Sequence, residues 1–138
     1  MPRYLADTSA WTRSQATTAT AERWATLIEL DEIATCPPIR LELLYSARGR
    51  SDFQARSAEL DGLPQVSLQG RDAEQAAAAQ SLLAARSQHR GPKPIDLLVA
   101  AIAERHGLTL LHYGRHFENI ARLTGQPTEW LARRGSLD

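Results

Sequence analysis

The run from Pro94 to Ala103 reads PIDLLVAAIA, and it is apolar on nearly every face of a helix. Such a run is typical of a helix buried inside a domain rather than of one lying on its surface. We expect Gly107 to end this helix, and the apolar segment Leu108–His112 that follows reads as a short strand. A helix that leads directly into an apolar strand is a building unit of α/β folds.

Other short strands are expected outward from this unit, at Arg3–Asp7, Ile33–Thr35, Val66–Leu68 and, at an edge, Thr128–Leu131. Helical spacing or helix-start signals fill the segments between them: Ser9 onward, Thr20–Leu30, Pro37–Ala47, Ser51–Leu60, Asp72–Arg86 and Phe117–Thr124. Strands that alternate with helices predict an α/β fold with a short parallel sheet flanked by helices on both faces. Ligands of such sheets gather at the carboxyl ends of the strands.

Length and composition limit the possible classes of protein. The 138 residues suit one compact domain, so we expect residues 1–138 to form a single unit. Sixteen basic and sixteen acidic residues cancel, which argues against a surface coated in positive charge for gripping any nucleic acid. The apolar stretches are too short to span a bilayer, and Met1–Trp11 lacks the apolar core of a secretory signal, so a cytoplasmic protein is expected. The single cysteine, Cys36, excludes an internal disulfide or a thiolate zinc site and reads as a buried apolar thiol.

Three acidic residues lie in apolar surroundings. Asp96 is inside the central helical run, Glu42 stands between leucines, and Asp7 ends the first strand. Taken singly, the two aspartates could be helix caps and the glutamate could face water. Taken together, three carboxylates on separate elements suit a hard cation such as Mg²⁺, which prefers oxygen ligands and keeps several waters. Thr8 and Ser9 add hydroxyls that could orient water or a phosphate oxygen, so the sequence predicts a site for metal-assisted chemistry on a phosphodiester.

Four motifs carry a resemblance to a known family. They are LADTSAW at residues 5–11, ELLYSA at 42–47, PIDLLVAA at 94–101, and LHY at 111–113 followed by FENIA at 117–121. In order and spacing they resemble PIN domains, and within these the VapC-type toxins of bacterial toxin–antitoxin pairs. The resemblance implies a PIN-like parallel sheet with acids clustered in a groove, one or two Mg²⁺ or Mn²⁺ ions, and endonucleolytic cleavage of structured RNA, either tRNA or rRNA.

The resemblance also implies roles for particular residues. It makes Asp7, Glu42 and Asp96 the metal-binding and catalytic carboxylates, with Ser9 as a supporting hydroxyl. It further implies a homodimer that is silenced by a cognate antitoxin, whose tail occupies the groove. Three apolar residues are candidates to meet the antitoxin: Trp11, Leu44 and Tyr45. Three cations are candidates to bind the RNA substrate: Arg40, Arg115 and Lys93.

The sequence departs from the family pattern after His112 and Tyr113. The family continues with two nearby acids, whereas this chain has Gly114 and His116. His116 could partly replace a ligand, which suits manganese better than magnesium, or it could face solvent. An alternative function is therefore a weakened PIN domain that binds RNA and antitoxin without efficient cleavage. A phosphatase with a strand-end aspartate nucleophile is a further alternative, but it would want an acid where Ser9 stands.

Overall fold

Four short strands form a parallel sheet at the centre of the protein. A computed structural model describes residues 1–138 and contains strands β1 (Tyr4–Ala6), β2 (Ile33–Ala34), β3 (Thr109–His112) and β4 (Thr128–Trp130). Their order across the sheet is β2-β1-β3-β4, and every neighbouring pair is parallel. The predicted parallel sheet is confirmed, including the edge position of the last strand.

Seven helices connect and cover the strands: α1 (Thr8–Arg13), α2 (Thr18–Glu29), α3 (Pro37–Tyr45), α4 (Arg50–Asp61), α5 (Gly70–Ala84), α6 (Pro94–Arg105) and α7 (His116–Thr124). Helices α3 and α6 both have proline in the first turn, where the missing N–H would have had no partner within the helix. None of the helices is long and apolar enough to cross a membrane.

Both faces of the sheet are buried under helices. Leu5 and Leu110 point into one apolar cluster, which they share with side chains of α5, α6 and α7. Tyr4 and Leu111, their neighbours along the strands, point into a second cluster that includes Trp24 of α2. Successive strand residues face opposite sides of a sheet, so this division confirms the predicted layers of helix, sheet and helix.

Helix α6 is the central helix expected from its sequence. Half of its residues are buried: Leu97, Val99, Ala100, Ala101, Ile102 and Ala103. After α6, Gly107 has a φ of +67°, and the Leu108 N–H donates to the Ala103 carbonyl. A left-handed residue there lets the chain leave the helix at little steric cost when it is glycine. The glycine therefore turns the chain directly from α6 towards β3.

The strand expected at Val66–Leu68 is absent, and that prediction was wrong. Only one bridge forms there, between Thr35 and Gln65. The Ser67 carbonyl accepts from the Arg105 guanidinium, at 2.6 Å, instead of from a neighbouring strand. Because β2 is only two residues long, it offers no further backbone partners to extend the ladder.

Three apolar residues, Cys36, Trp24 and Leu44, are buried in the core. Cys36 is 1% exposed, and burial raises the pKa of its thiol to about 11, as expected of a buried apolar thiol. Trp24 is also buried, at 5% exposed. Leu44 differs from the expectation, because it packs against Leu60 and Leu63 in the interior. It is therefore part of the core and not an open surface for an antitoxin.

Candidate functional site

The three predicted carboxylates lie near one another at the carboxyl end of β1, and the region between them is here called the carboxylate groove. Asp7 follows β1 directly and is the N-cap residue of α1. Glu42 belongs to α3, and Asp96 is the third residue of α6. The negative charges of Asp96 and Glu42 both act on Asp7, and Glu42 also acts on Asp96. The fold thus brings together three acids that are far apart in the sequence.

Asp7 has one oxygen in use and one without a partner. Its Oδ2 accepts from the Ser9 backbone N–H at 2.9 Å, which caps α1. Its Oδ1 is buried and has no hydrogen-bond partner. A buried acceptor without a partner costs about 1–3 kcal/mol, and more when the group is charged. The cap accounts for one oxygen of this carboxylate. The other oxygen has no partner and is chemically suited to bind a cation.

Asp96 and Glu42 show the same division between their two oxygens. Asp96 Oδ2 accepts from the Lys93 backbone N–H at 2.9 Å, whereas Oδ1 has no hydrogen-bond partner. Glu42 Oε1 accepts from the Thr8 hydroxyl at 2.6 Å, and Oε2 is free. Asp7 is therefore an N-cap residue, whereas Asp96 is not the N-cap of α6 but accepts from the N-cap residue Lys93, and capping uses only one oxygen of each.

Burial and mutual repulsion raise the pKa of two acids of this groove. Burial, and then the charges of Asp96 and Glu42, raise the pKa of Asp7 to about 6 against the lowering effect of Ser9. Burial, followed by the charge of Glu42, likewise raises the pKa of Asp96. A nearby cation would relieve both effects, because an opposite charge favours the ionised form of a carboxyl group.

Asp72 provides a comparison with a buried acid that is purely structural. It is 1% exposed, yet its oxygens accept from the Gln69 N–H and from the Arg105 guanidinium at 2.7–2.9 Å. The hydrogen bond from Arg105 lowers its pKa. Asp72 is thus satisfied within the protein, whereas Asp7 is buried without such a partner. This contrast singles out Asp7 as a buried acid with one oxygen that no group of the protein satisfies.

The three acids do not converge closely enough to form a metal site by themselves. No three His, Cys, Asp or Glu side chains lie close enough to form a complete protein-only metal site. Magnesium is usually bound by one or two carboxylates, with waters and substrate phosphates completing its octahedron. The donor set fits such an ion, and the assignment of all three acids to one ion stays a prediction.

Ser9 links the groove to the end of β3. Its hydroxyl oxygen accepts from the Tyr113 backbone N–H at 2.9 Å, and its own N–H holds Asp7. The sequence suggested that the hydroxyls of Thr8 and Ser9 orient water or phosphate. In the structure Thr8 positions Glu42, and Ser9 positions both Asp7 and the chain that follows β3.

Two positions after β3 replace the expected acids. Gly114 does not have a left-handed φ, and a Cβ built there would meet only the Phe117 ring, at 3.4 Å. His116 is half-buried, and its Nδ1 would lie 3.0 Å from a Cβ at Gly91, so the imidazole packs against that loop. His112 is fully buried, and burial lowers its pKa to about 4.

The three candidate RNA-binding cations have different surroundings. Arg40 donates to Asp61 at 2.7 Å and to Ser57 at 2.6 Å, so its guanidinium holds α3 against α4. Arg115 and Lys93 are exposed and have no carboxylate within 4 Å. Of the three, Arg115 and Lys93 are free to meet a phosphate, and Arg40 is not.

Two further arginines near the groove escaped the sequence analysis. Arg13 ends α1, and its guanidinium lies 5.1 Å from the centre of the Tyr113 ring. Arg134 lies over Trp130, with 5.9 Å between guanidinium and ring centre. Arg13 is within two turns of Asp7 on the same helix, so its position near the site could have been predicted from the sequence. The position of Arg134 could not have been predicted, because only the fold brings the end of the chain to this place.

Comparisons with known proteins identify the family of this chain. Residues 4–123 match the PIN domain family. Ribonuclease VapC18 of Mycobacterium tuberculosis is 40% identical over 136 residues, which cover 97% of this chain and 98% of that relative. Ribonuclease VapC51 of the same organism is 38% identical over 136 residues, covering 99% of this chain and 98% of the relative.

Solved structures share the fold at low sequence identity. A chain of the DNA-bound VapBC crystal structure from Salmonella typhimurium has a TM-score of 0.75 and 19% identity, covering 96% of this chain and 100% of its own length. A chain of VapBC2 from Rickettsia felis, bound to a promoter DNA fragment, has a TM-score of 0.73 and 16% identity, covering 92% and 97%. With a family match over most of its length and relatives near 40% identity, this chain belongs to the PIN-domain family and groups with its VapC ribonucleases.

Proposed function

We propose that this protein is a metal-dependent endoribonuclease and the toxin of a type II toxin–antitoxin pair, cutting structured RNA such as tRNA or rRNA. One structural observation carries the proposal: the buried, unpartnered Oδ1 of Asp7 beside Asp96 and Glu42. The relatives that match along nearly the whole chain are named ribonucleases, which supports RNA as the substrate.

The chain's own residues would prepare the groove for this reaction. Asp7, Glu42 and Asp96 would hold Mg²⁺, or alternatively Mn²⁺, through the oxygens that have no hydrogen-bond partner. When bound, such an ion neutralises charge on the phosphodiester and activates water for attack. Thr8 and Ser9 fix the orientations of Glu42 and Asp7 before substrate arrives, which lowers the cost of ordering the site.

Cleavage of RNA by the purified protein tests this function. With magnesium present, new internal RNA ends should appear. Chelation of divalent ions should stop their formation, and added magnesium or manganese should restore it. Cleavage that continues at the same rate after chelation would contradict a metal-dependent nuclease.

A groove with a partly apolar lining, here called the apolar groove, lies beside Thr8 and supports the antitoxin as a partner. A cavity of about 470 Å³ lies between α1, α2, α3 and α4, and its apolar lining is Trp11, Trp24, Leu43 and Leu60. Leu41 and Tyr45 lie beside it, exposed at 70% and 92%. The structural neighbours are described as VapBC complexes. We infer that an amphipathic antitoxin segment docks its apolar side here and directs an arginine towards the acids.

Thr12→Arg should weaken the complex with the product of the adjacent small antitoxin gene at least about tenfold, a loss of about 1.4 kcal/mol. Thr12 is exposed at the rim of the apolar groove, and its hydroxyl bonds the Thr8 carbonyl one turn earlier. Thr26→Arg is a matched control, because Thr26 is exposed and bonds the Glu22 carbonyl in the same way without lining the groove. Affinity can be measured by titration calorimetry. Equal affinities of the two variants would remove this groove from the antitoxin interface.

Gly114 supports a second candidate, a weakened PIN domain that binds RNA and antitoxin but cuts poorly. We expect Gly114→Asp to increase metal affinity and cleavage about tenfold, the lower end of the usual effect of altering a metal site. The backbone at Gly114 is open to other residues, and a Cβ makes ordinary contact with Phe117. Metal titration and cleavage should be measured on the same preparation, with Gly114→Asn as the uncharged control. If Gly114→Asp folds but binds metal and cuts no better than the wild type, Gly114 is not a missing ligand.

A further inference from the structure

A pocket of about 490 Å³ lies beyond the carboxylate groove, at the carboxyl ends of β3 and β4, and we call it the arginine pocket. Three arginines and two aromatic residues define it, with one acid at its edge: Arg13, Arg115, Arg134, Tyr113, Trp130 and Asp138. Its volume is within the range of about 300–1,000 Å³ that is typical of ligand sites.

The arginine pocket carries positive charge that the protein does not neutralise. Arg13 and Arg115 have no carboxylate within 4 Å. Arg134 has one partner, Glu118, at 3.1 Å. Asp138 uses an oxygen to accept from the Tyr113 hydroxyl at 3.1 Å and is not paired with any of the arginines. Three guanidinium groups therefore meet only two side-chain carboxylates, Glu118 and Asp138, at this opening.

Aromatic contacts hold two of these cations in place. Arg13 lies over Tyr113, and Arg134 lies over Trp130. The rings of Tyr113 and Trp130 meet edge to face with centres 5.2 Å apart. A guanidinium placed over an aromatic ring is oriented before a ligand arrives, and its N–H groups stay available to a phosphate.

Two hydrogen bonds link the arginine pocket to the carboxylate groove. The Tyr113 N–H donates to the Ser9 hydroxyl oxygen, and the Ser9 N–H donates to Asp7. A single residue thus connects the pocket to the most buried acid of the groove. A strand lying across the groove would reach the pocket within a short distance, because one phosphate follows another along its backbone.

Electrostatics explain why RNA needs such a pocket. The protein has no net charge, and the acids of the groove repel phosphates. Binding must therefore depend on local positive charge near the groove. We propose that Arg13, Arg115 and Arg134 bind backbone phosphates of the RNA strand next to the one held at the carboxylate groove. The proposal rests on the ribonuclease function above and assigns its substrate contacts.

Binding of a short single-stranded RNA of mixed sequence tests the proposal, measured against salt concentration after divalent ions are chelated. No strand is cut under these conditions, so differences in affinity report on the arginines. Counterion release gives a slope of about 0.7 in log K against log salt for each phosphate contact to a single strand. Arg13→Ala and Arg115→Ala should each lower the slope by about 0.7, and the double variant by about 1.4. At 0.1 M salt each loss is about fivefold in affinity.

Two further variants separate charge from other causes. Arg13→Lys keeps the charge and should keep the slope. Arg71→Ala removes an exposed arginine beside Asp72 and Arg105, at the far end of α6 from Asp96, and should leave the slope unchanged. Melting temperatures of all variants show that they are folded.

The outcomes distinguish the pocket from the nuclease function. Wild-type slopes in the Arg13 and Arg115 variants, with cleavage intact, would overturn the pocket and leave the ribonuclease standing. Slopes that fall as expected in a protein that never cuts RNA would keep the pocket and remove the ribonuclease. If antitoxin affinity falls instead while the RNA slope does not change, the arginine pocket serves the partner protein and the proposal is wrong.

Discussion

Asp7→Asn should reduce metal-dependent RNA cleavage at least about 100-fold, since changes even in the outer shell of metal sites commonly cost about 10–100-fold. The substitution removes one charge and one ligand oxygen while keeping the shape of the side chain. Asparagine caps helices about as well as aspartate, so the bond from the Ser9 N–H should survive. The measurement is the single-turnover cleavage rate over a range of magnesium concentrations.

Asp52→Asn is the matched control for this experiment. Asp52 also lies in the first turn of a helix and accepts a backbone N–H, from Arg48 at 2.9 Å. It belongs to α4 and adds no charge to the carboxylate groove. We expect its cleavage rate to stay near that of the wild type. Asp7→Asn cutting as fast as Asp52→Asn would show that Asp7 is only a helix cap.

Asp7→Asn should also stabilise the metal-free protein at pH 8. The pKa of Asp7 is raised from 3.8 to about 6 in the folded protein, which means that folding favours its protonated form. The ionised form therefore costs stability once the pH rises through about 6, by up to about 3 kcal/mol, and below about pH 4 the cost disappears. Even a third of that amount shifts the melting temperature by several degrees, about 3–5 °C.

Magnesium should remove most or all of this difference between the two proteins. At about 100 times its Kd, an ion that binds only the folded state adds about 2.7 kcal/mol to the free energy of unfolding. The wild type should gain this stability at pH 8, and Asp7→Asn should gain little. Thermal melts at pH 4 and pH 8, with and without magnesium, measure the effect of pH and the effect of the metal on stability. If Asp7→Asn has the wild-type melting temperature under all four conditions, ionised Asp7 does not destabilise the folded protein and is not a metal ligand.

The sequence predicts the layers of this fold because hydrophobic spacing alone specifies them. The run in α6 is apolar all around, and it is buried on nearly every side. The strand assigned to Val66–Leu68 failed because a strand depends on partners across the sheet, and Arg105 takes the carbonyl that a ladder would need. Leu44 failed in a related way: its helical spacing is right, but only packing against Leu60 shows which side faces the core.

The carboxylate groove was accessible to sequence reasoning because charged residues in apolar runs are costly and need an explanation. Asp7 and Asp96 can be located in this way. Which of their oxygens are free can be read only from the structure, since capping uses one oxygen of each. The arginine pocket was beyond reach. It joins Arg13 to Arg134 from opposite ends of the chain, and exposed arginines carry no pattern that marks them as neighbours.

Induced expression of this protein, followed by sequencing of newly formed RNA ends, tests the central claim most directly. Asp96→Asn is the comparison, because it keeps a side chain able to accept from the Lys93 N–H while removing a charge from the carboxylate groove. We expect discrete new ends in a small set of structured RNAs with the wild type and none with the variant at equal protein levels. The same new ends in both, or in neither while growth still stops, would contradict a nuclease that depends on these carboxylates.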